Sequence, residues 1–211
     1  IYSRSGGSQG IGFAIPVNMV RVVVASAKGG GTSVKRPWLG ASLQAVTPDI
    51  ADGLNLKRPA GSLVTGVTAG SPAARAGLKV GDLITTIDGQ AVDDTDALGF
   101  RFATKPLGGH TQLGVIRGGK EMHVSVPLIA APETPPRDPV KVRTRSPFLG
   151  ATVINLSPAV ADEMHVDGEA RGVIVSEVED GTPAQMIGLR RGDIVQEVNG
   201  EAVKHTKDIE R

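Results

Sequence analysis

Gly70 to Val92 reads Gly-Ser-Pro-Ala-Ala-Arg-Ala-Gly-Leu-Lys-Val-Gly-Asp-Leu-Ile-Thr-Thr-Ile-Asp-Gly-Gln-Ala-Val, and the pattern returns 111 residues later, at Gly181 to Val203, as Gly-Thr-Pro-Ala-Gln-Met-Ile-Gly-Leu-Arg-Arg-Gly-Asp-Ile-Val-Gln-Glu-Val-Asn-Gly-Glu-Ala-Val. A repeat of that period is too long for a solenoid unit and suits a whole small domain. Each copy predicts a short helix, a turn and a strand. Ser71 or Thr182 caps the helix, Pro72 or Pro183 takes its first position, and Gly77 or Gly188 ends it. Gly81-Asp82 and Gly192-Asp193 turn the chain into strands over Leu83 to Ile87 and Ile194 to Val198. Asp88-Gly89 and Asn199-Gly200 are tight-hairpin signals.

The repeat extends upstream, where Trp38-Leu39-Gly40-Ala41 matches Phe148-Leu149-Gly150-Ala151 at an offset of 110. Both follow a basic residue and a proline, Arg36-Pro37 and Arg145-Ser146-Pro147. With its x-hydrophobic-Gly-hydrophobic loop, Gly-Ser/Thr-Pro-Ala helix and Gly-Asp-hydrophobic strand, the unit resembles the PDZ domain in the form carried by the bacterial HtrA/Do (DegP-like) serine proteases. The resemblance covers most of the chain. It implies a mainly β fold with short helices: two PDZ-like, partly open β-barrels or sandwiches in tandem, preceded by the last strand and linking helix of a trypsin-like protease domain.

Composition bounds the function classes. The 211 residues carry 23 Lys and Arg against 22 Asp and Glu, a net charge of +1, so nothing points to nucleic acid or an anionic membrane. Lys141 to Arg145, the longest basic run, alternates with Val and Thr and is expected to be a solvated stretch of linker. There is no cysteine, hence no disulfide framework and no thiolate zinc site. No apolar run approaches the roughly 20 residues needed to cross a bilayer. No cofactor or metal is implied.

Along the chain, residues 1–28 are expected to hold the protease remnant and linking helix. Gly10 to Ile15 is, by resemblance, the last barrel strand, and Asn18 to Lys28 follows as a helix. Ser5-Gly6-Gly7 is no nucleophile motif, because the family's is Gly-x-Ser-Gly-Gly and position 3 here is Ser. Residues 29–36 are a linker, and 37–131 the first PDZ domain, with Thr95 capping a helix through Thr104 and a closing hairpin from Leu113 to Pro127. Residues 132–146 form a proline-rich, semi-rigid linker. Residues 147–211 are the second PDZ domain, expected to be incomplete at its C-terminus. Starting at Ile1 without Met, the chain is expected to be an internal piece of a longer protein.

A serine protease needs a nucleophile, a base in reach and an acid that orients the base. His110, His123, His165 and His205 are the histidines, and none has the family's catalytic context, so no catalytic residue is assigned and no His pair has metal-ligand spacing. Peptide recognition is left. An extended peptide can add as a strand to a sheet edge, and its carboxylate needs convergent backbone N–H donors, which Leu39, Gly40 and Ala41 can supply. By resemblance the pocket lies between the strand Ala41 to Val46 and the helix Thr95 to Thr104. Leu43 and Phe102 are the pocket candidates, Trp38 completes the loop, and Arg36 supports the carboxylate. In the second copy the candidates are Phe148, Leu149, Gly150, Ala151 and Val153.

What the resemblance implies is the peptide-binding regulatory region of an HtrA/Do-like serine endopeptidase in protein quality control, itself without a Ser/His/Asp triad. Expected partners are unfolded or C-terminally exposed polypeptides, with a homo-oligomeric parent of chaperone-like activity in the periplasm or cell envelope. The alternative is an assembly module whose PDZ grooves contact sister subunits.

Overall fold

The computed structural model describes residues 35–166 and 170–210, together with Val17, Val20, Val23 and Val24. The strand expected over Gly10 to Ile15 lies outside the described residues. Of the expected helix over Asn18 to Lys28, Val20, Val23 and Val24 are helical and the rest lies outside them too.

The first unit is a six-stranded antiparallel sheet with three helices. In chain order come β1 (Ala41–Ala45), α1 (Pro48–Gly53), β2 (Ser62–Val67), α2 (Pro72–Ala76), β3 (Leu83–Ile87), β4 (Gln90–Ala91), α3 (Thr95–Ala103), β5 (His110–Arg117) and β6 (Lys120–Pro127). The sheet order is β1-β2-β3-β5-β6, with β4 paired to β3, so among the described residues β1 is an edge strand. Alternating apolar residues of β2, β3, β5 and β6 meet α3 in one core: Val64, Ile84, Ile87, Leu98, Phe102, Leu113, Val115 and Val126 are all at most 5% exposed. Each such side chain contributes about 1.5–3 kcal/mol by leaving water.

The second unit is smaller. β8 (Ala151–Asn155), α4 (Pro158–Met164), β9 (Val173–Val178), α5 (Pro183–Met186), β10 (Ile194–Val195), β11 (Glu197–Val198) and β12 (Glu201–Ala202) are followed by a 3-10 turn, Thr206–Glu210. A further strand, β7 (Val140–Lys141), precedes them, and the order of the second sheet is β10-β9-β8-β7. β11 and β12 form a separate hairpin. Val142, Val153, Val173, Val175 and Ala184, all fully buried, make this core.

The repeat holds at the level of single bonds. The Leu39 and Leu149 carbonyls accept from Ala73 and Ala184 N–H (2.9 and 3.2 Å), and the Gly40 and Gly150 carbonyls from Thr68 and Glu179 N–H (2.9 and 3.0 Å). β1 and β8 carry register shifts at matching places, between Ser42 and Leu43 and between Thr152 and Val153. Both tight turns put an Asx-Gly pair at positive φ, Asp88 with Gly89 and Asn199 with Gly200, the backbone of a two-residue hairpin whose twist suits the strands.

The caps differ from expectation at three places. Asp94, not Thr95, caps α3, accepting from Ala97 N–H at 2.7 Å. Thr95 Oγ1 lies 3.3 Å from Ser62 Oγ instead. Ser71 caps α2 as expected. Thr182 occupies the matching position, but its hydroxyl donates to the Glu179 carbonyl at 2.6 Å and takes no helix N–H. α5 ends at Met186, before Gly188. The strand expected over Ile194 to Val198 is interrupted at Gln196.

Among the described residues, one ion pair with a buried carboxylate is specific to the first unit. Arg117 Nε and Nη2 each donate to Asp82 at 2.6 Å, and Nη2 also reaches the Gly77 carbonyl at 2.7 Å. This fork ties the turn before β3 to the end of β5. Burial by itself raises the Asp82 carboxyl, but the Arg117 bonds and the Lys79 N–H outweigh it and hold the group below its usual value. In the second unit Asp193 repeats the turn, accepting from Arg190 N–H at 2.7 Å, without an arginine partner among the described residues.

Candidate functional site

A groove of about 740 Å³ runs between β1 and α3. On the strand side it is lined by Leu39, Ala41 and Leu43, on the helix side by Leu98, Gly99, Phe102 and Ala103, and at one end by Lys35 and Arg36. Five of the residues anticipated from sequence, Arg36, Leu39, Ala41, Leu43 and Phe102, therefore meet in one place. Phe102 is also part of the core, 5% exposed, so it forms the groove floor. Trp38 stands outside the lining. Its N–H donates to the Ile129 carbonyl at 2.9 Å, and its ring backs onto Gly40. It braces the loop from behind.

Gly40 is required twice over. Its φ is +70°, which disfavours any side chain with a Cβ. A Cβ there would also sit 2.2 Å from Ser71 Cβ. The glycine thus lets the loop curl and lets it dock on the cap of α2. Among the described residues no acceptor takes the Leu39 or Gly40 N–H. On the outer side of β1 no strand is paired among the described residues. The groove offers loop donors, an open edge and apolar walls.

Sequence reasoning missed Leu98, Gly99 and Ala103, although with Phe102 they fall on one face of α3 at helical spacing. It also missed the far wall, where Glu133 and Arg137 of the inter-unit segment and Ala159, Asp162, Glu163 and His165 around α4 face the same cavity. Arg137 bridges Glu133 and Glu163. Asp162 keeps solvent contact at the mouth. The protein mass around it raises its carboxyl above the ordinary value, against the pull of His165 and Arg36. Nothing in a local sequence pattern marks a wall contributed by the other unit.

The second loop is placed differently. Phe148 packs partly buried against the second core, and Ala151 and Val153 are fully buried within it. Leu149 N–H donates to Ser146 O (3.1 Å), Gly150 N–H to Val142 O (3.1 Å), and Ala151 N–H to Phe148 O (3.0 Å). Gly150 has φ +92°, and a Cβ on it would meet Thr182 Cγ2 at 2.3 Å. The loop is built as in the first unit, but its donors are engaged. Lys141 to Arg145 is not the wholly solvated stretch expected: Val142 is fully buried and Lys141 pairs with Glu179.

A PDZ domain family model matches residues 63–117 and 174–211, the two repeat copies. A probable periplasmic serine endoprotease, DegP-like, of Pseudomonas fluorescens is 36% identical over 215 residues, covering 99% of this chain and 44% of its own length. The chain is a PDZ-containing stretch of the HtrA/DegP-like serine protease family. Periplasmic serine endoprotease DegP of Escherichia coli is 33% identical across 100% of the chain, which covers 41% of DegP. The chain thus spans less than half the length of these HtrA relatives. A solved structure of a variant of the HtrA-type protease AlgW with decapeptide is 39% identical, with a TM-score of 0.50 over 64% of this chain and 41% of that one. No described helix is long and apolar enough to cross a membrane.

Proposed function

We propose that this is the peptide-capturing regulatory region of an HtrA-type serine endopeptidase, and that the first groove holds the C-terminal end of a hydrophobic or unfolded polypeptide. The observation that carries this is that, among the described residues, an open β1 edge lies beside untaken loop donors at Leu39 and Gly40. A peptide adding antiparallel to β1 completes the ladder, its last side chain enters the pocket walled by Leu43, Leu98 and Phe102, and its carboxylate meets the loop N–H groups beside Arg36. Charge-assisted bonds contribute about 1.5–3 kcal/mol and the buried side chain a similar ~1.5–3 kcal/mol. Set against ordering of the tail, that gives weak, reversible capture, as suits a region that samples many chains.

In this reading the PDZ domains run over 37–131 and 147–211, cleavage is done by the rest of the parent, and capture governs it. The names of the relatives support a periplasmic or cell-envelope setting, and quality control with a homo-oligomeric parent is the corresponding role. The test is a C-terminal peptide array against the full chain, repeated with amidated C-termini. The reading predicts apolar last residues among the binders and loss of binding on amidation. Binding that ignores the free carboxylate, or self-association with no peptide binding, contradicts it.

A further inference from the structure

The strand edge beside the second loop is taken, and its occupant is part of the same chain. β7 lies on the outer edge of β8, the counterpart of the β1 edge on which no described residue pairs in the first unit, and it runs antiparallel with Val140 opposite Val153 and Lys141 opposite Thr152. Val142 N–H donates to the Ala151 carbonyl at 2.9 Å, and Gly150 N–H donates to the Val142 carbonyl at 3.1 Å. The Val142 side chain is fully buried in the second core, and Val140 packs partly buried against it. Lys141 points the other way and pairs with Glu179. These are the contacts that an added peptide strand makes: a ladder on the edge, a last side chain in the pocket, and an oxygen on the loop N–H.

We infer that residues Val140 to Val142 occupy the second groove as a tethered pseudo-ligand, so that this groove takes free polypeptide ends of the Val-x-Val type only by displacing them. The inference rests on the proposed peptide capture and extends it to the ligand class and regulation of the second site. β-Branched residues at the last and third-last positions fill the pocket and the edge, and a basic residue between them meets Glu179. The tether and the free ligand have opposite advantages. Val142 is followed by Arg143, so it offers the loop a neutral carbonyl where a free C-terminus offers a carboxylate, whose hydrogen bonds are roughly twice as strong. The tethered segment is present at an effective concentration on the order of millimolar. A free end must therefore be abundant, or be presented on a bound chain, to displace it. Because the segment also connects the two units, its release lengthens the connection between the grooves.

The test is a two-dimensional NMR titration of the full chain with the free-carboxylate hexapeptide Arg-Asp-Pro-Val-Lys-Val, which copies residues 137–142. Three chains are compared: native, Val142→Asp and Lys141→Glu. The first variant puts a charge at a fully buried site, and the second only opposes Glu179 from an exposed position. In the native chain the Gly150 and Ala151 amides should respond at a midpoint about tenfold or more above that in Val142→Asp. In Lys141→Glu the midpoint should fall by about threefold. If Val142→Asp disorders the second unit, the peptide added in trans should restore its spectrum, and a peptide ending in Asp should not. Equal midpoints in native and Lys141→Glu chains, or a native second loop that titrates as readily as that of Val142→Asp, overturn the inference. Responses of Leu39 and Gly40 are read separately: their silence towards every peptide counts against capture by the first groove and leaves the second-groove result intact.

Discussion

The two units share a loop, a glycine at positive φ, and a strand with its register shift at the matching residue, yet among the described residues the strand edge beside one loop is open and that beside the other is taken. Among the described residues of the first unit, nothing pairs with the outer edge of β1 and no acceptor takes the Leu39 and Gly40 donors. In the second, β7 pairs with β8 and the Val142 carbonyl takes the Gly150 N–H. The loop is thus a device for holding an extended strand, and whether a site is available depends on what the neighbouring chain places there. A matching motif marks where a groove is and does not show that it is vacant.

The largest effect that separates the units is on stability. Arg117→Leu takes the guanidinium away from the buried Asp82 carboxylate and leaves it only the Lys79 N–H, and removing one side of such a pair lowers stability strongly. Only the first unit should lose it, because Asp193 has no such partner among the described residues. The chain's one tryptophan, Trp38, lies in the first unit, so urea unfolding followed by its fluorescence reads that unit alone. An unchanged midpoint contradicts the structural role given to the pair. Gly40→Val acts on the same unit, since the new Cβ would strike Ser71 and strain the loop. It should lower the Trp38 transition as well as remove peptide binding, and loss of binding with full stability would show that Ser71 yields.

Amidating the C-terminus of a peptide that binds the first groove should weaken it by about tenfold to a hundredfold, from the loss of charge-assisted bonds at the loop. Calorimetric titration checks this, and equal affinities contradict the assignment of Leu39 and Gly40 as anion donors. Leu43→Ala trims the strand-side wall without touching the loop and should cost about 1 kcal/mol of binding, read as a roughly fivefold weaker affinity in the same titration. If affinity is unchanged, Leu43 does not line the occupied part of the groove.

Acid should also act on the first unit. Burial raises the Asp82 carboxyl, but Arg117 and the Lys79 N–H hold it below the ordinary carboxylate value, and Asp88 is lowered by Lys105, Gln112 N–H and Thr111. Groups depressed in the folded state contribute stability that is complete above their unfolded value and is lost as pH falls through the folded one. The Trp38 transition should hold near neutrality and move down below about pH 3.8. In Arg117→Leu that acid-dependent loss should shrink, because the group that depressed Asp82 is gone.

Most of the fold was legible because it is written twice. Turn glycines, the Ser71 cap and the Asx-Gly hairpins act through local backbone chemistry, and each copy corroborates the other. Leu39 was legible for the same reason, while Leu43 and Phe102 came from the family resemblance that the repeat carries. The misses have physical causes. Asp94 and Thr95 are both able cap residues, and only the start of the helix decides between them. Val140-Lys141-Val142 carries the period-two alternation of a strand, but in a stretch rich in proline and charge, and its burial depends on β8, which follows in the chain. The Asp162 wall comes from the other unit across the groove and has no local signature.

The most direct measurement is amide hydrogen exchange of the full chain, first without ligand and then with a peptide that binds the first groove. Without ligand, the Val142 and Gly150 amides should be protected with the second sheet, while Leu39 and Gly40 exchange close to unstructured rates. Peptide should protect Leu39 and Gly40 and leave Val142 and Gly150 unchanged. Equal exchange at the two loops in the free chain, or protection by peptide at Gly150 without a change at Gly40, would contradict the account of one open and one self-filled groove.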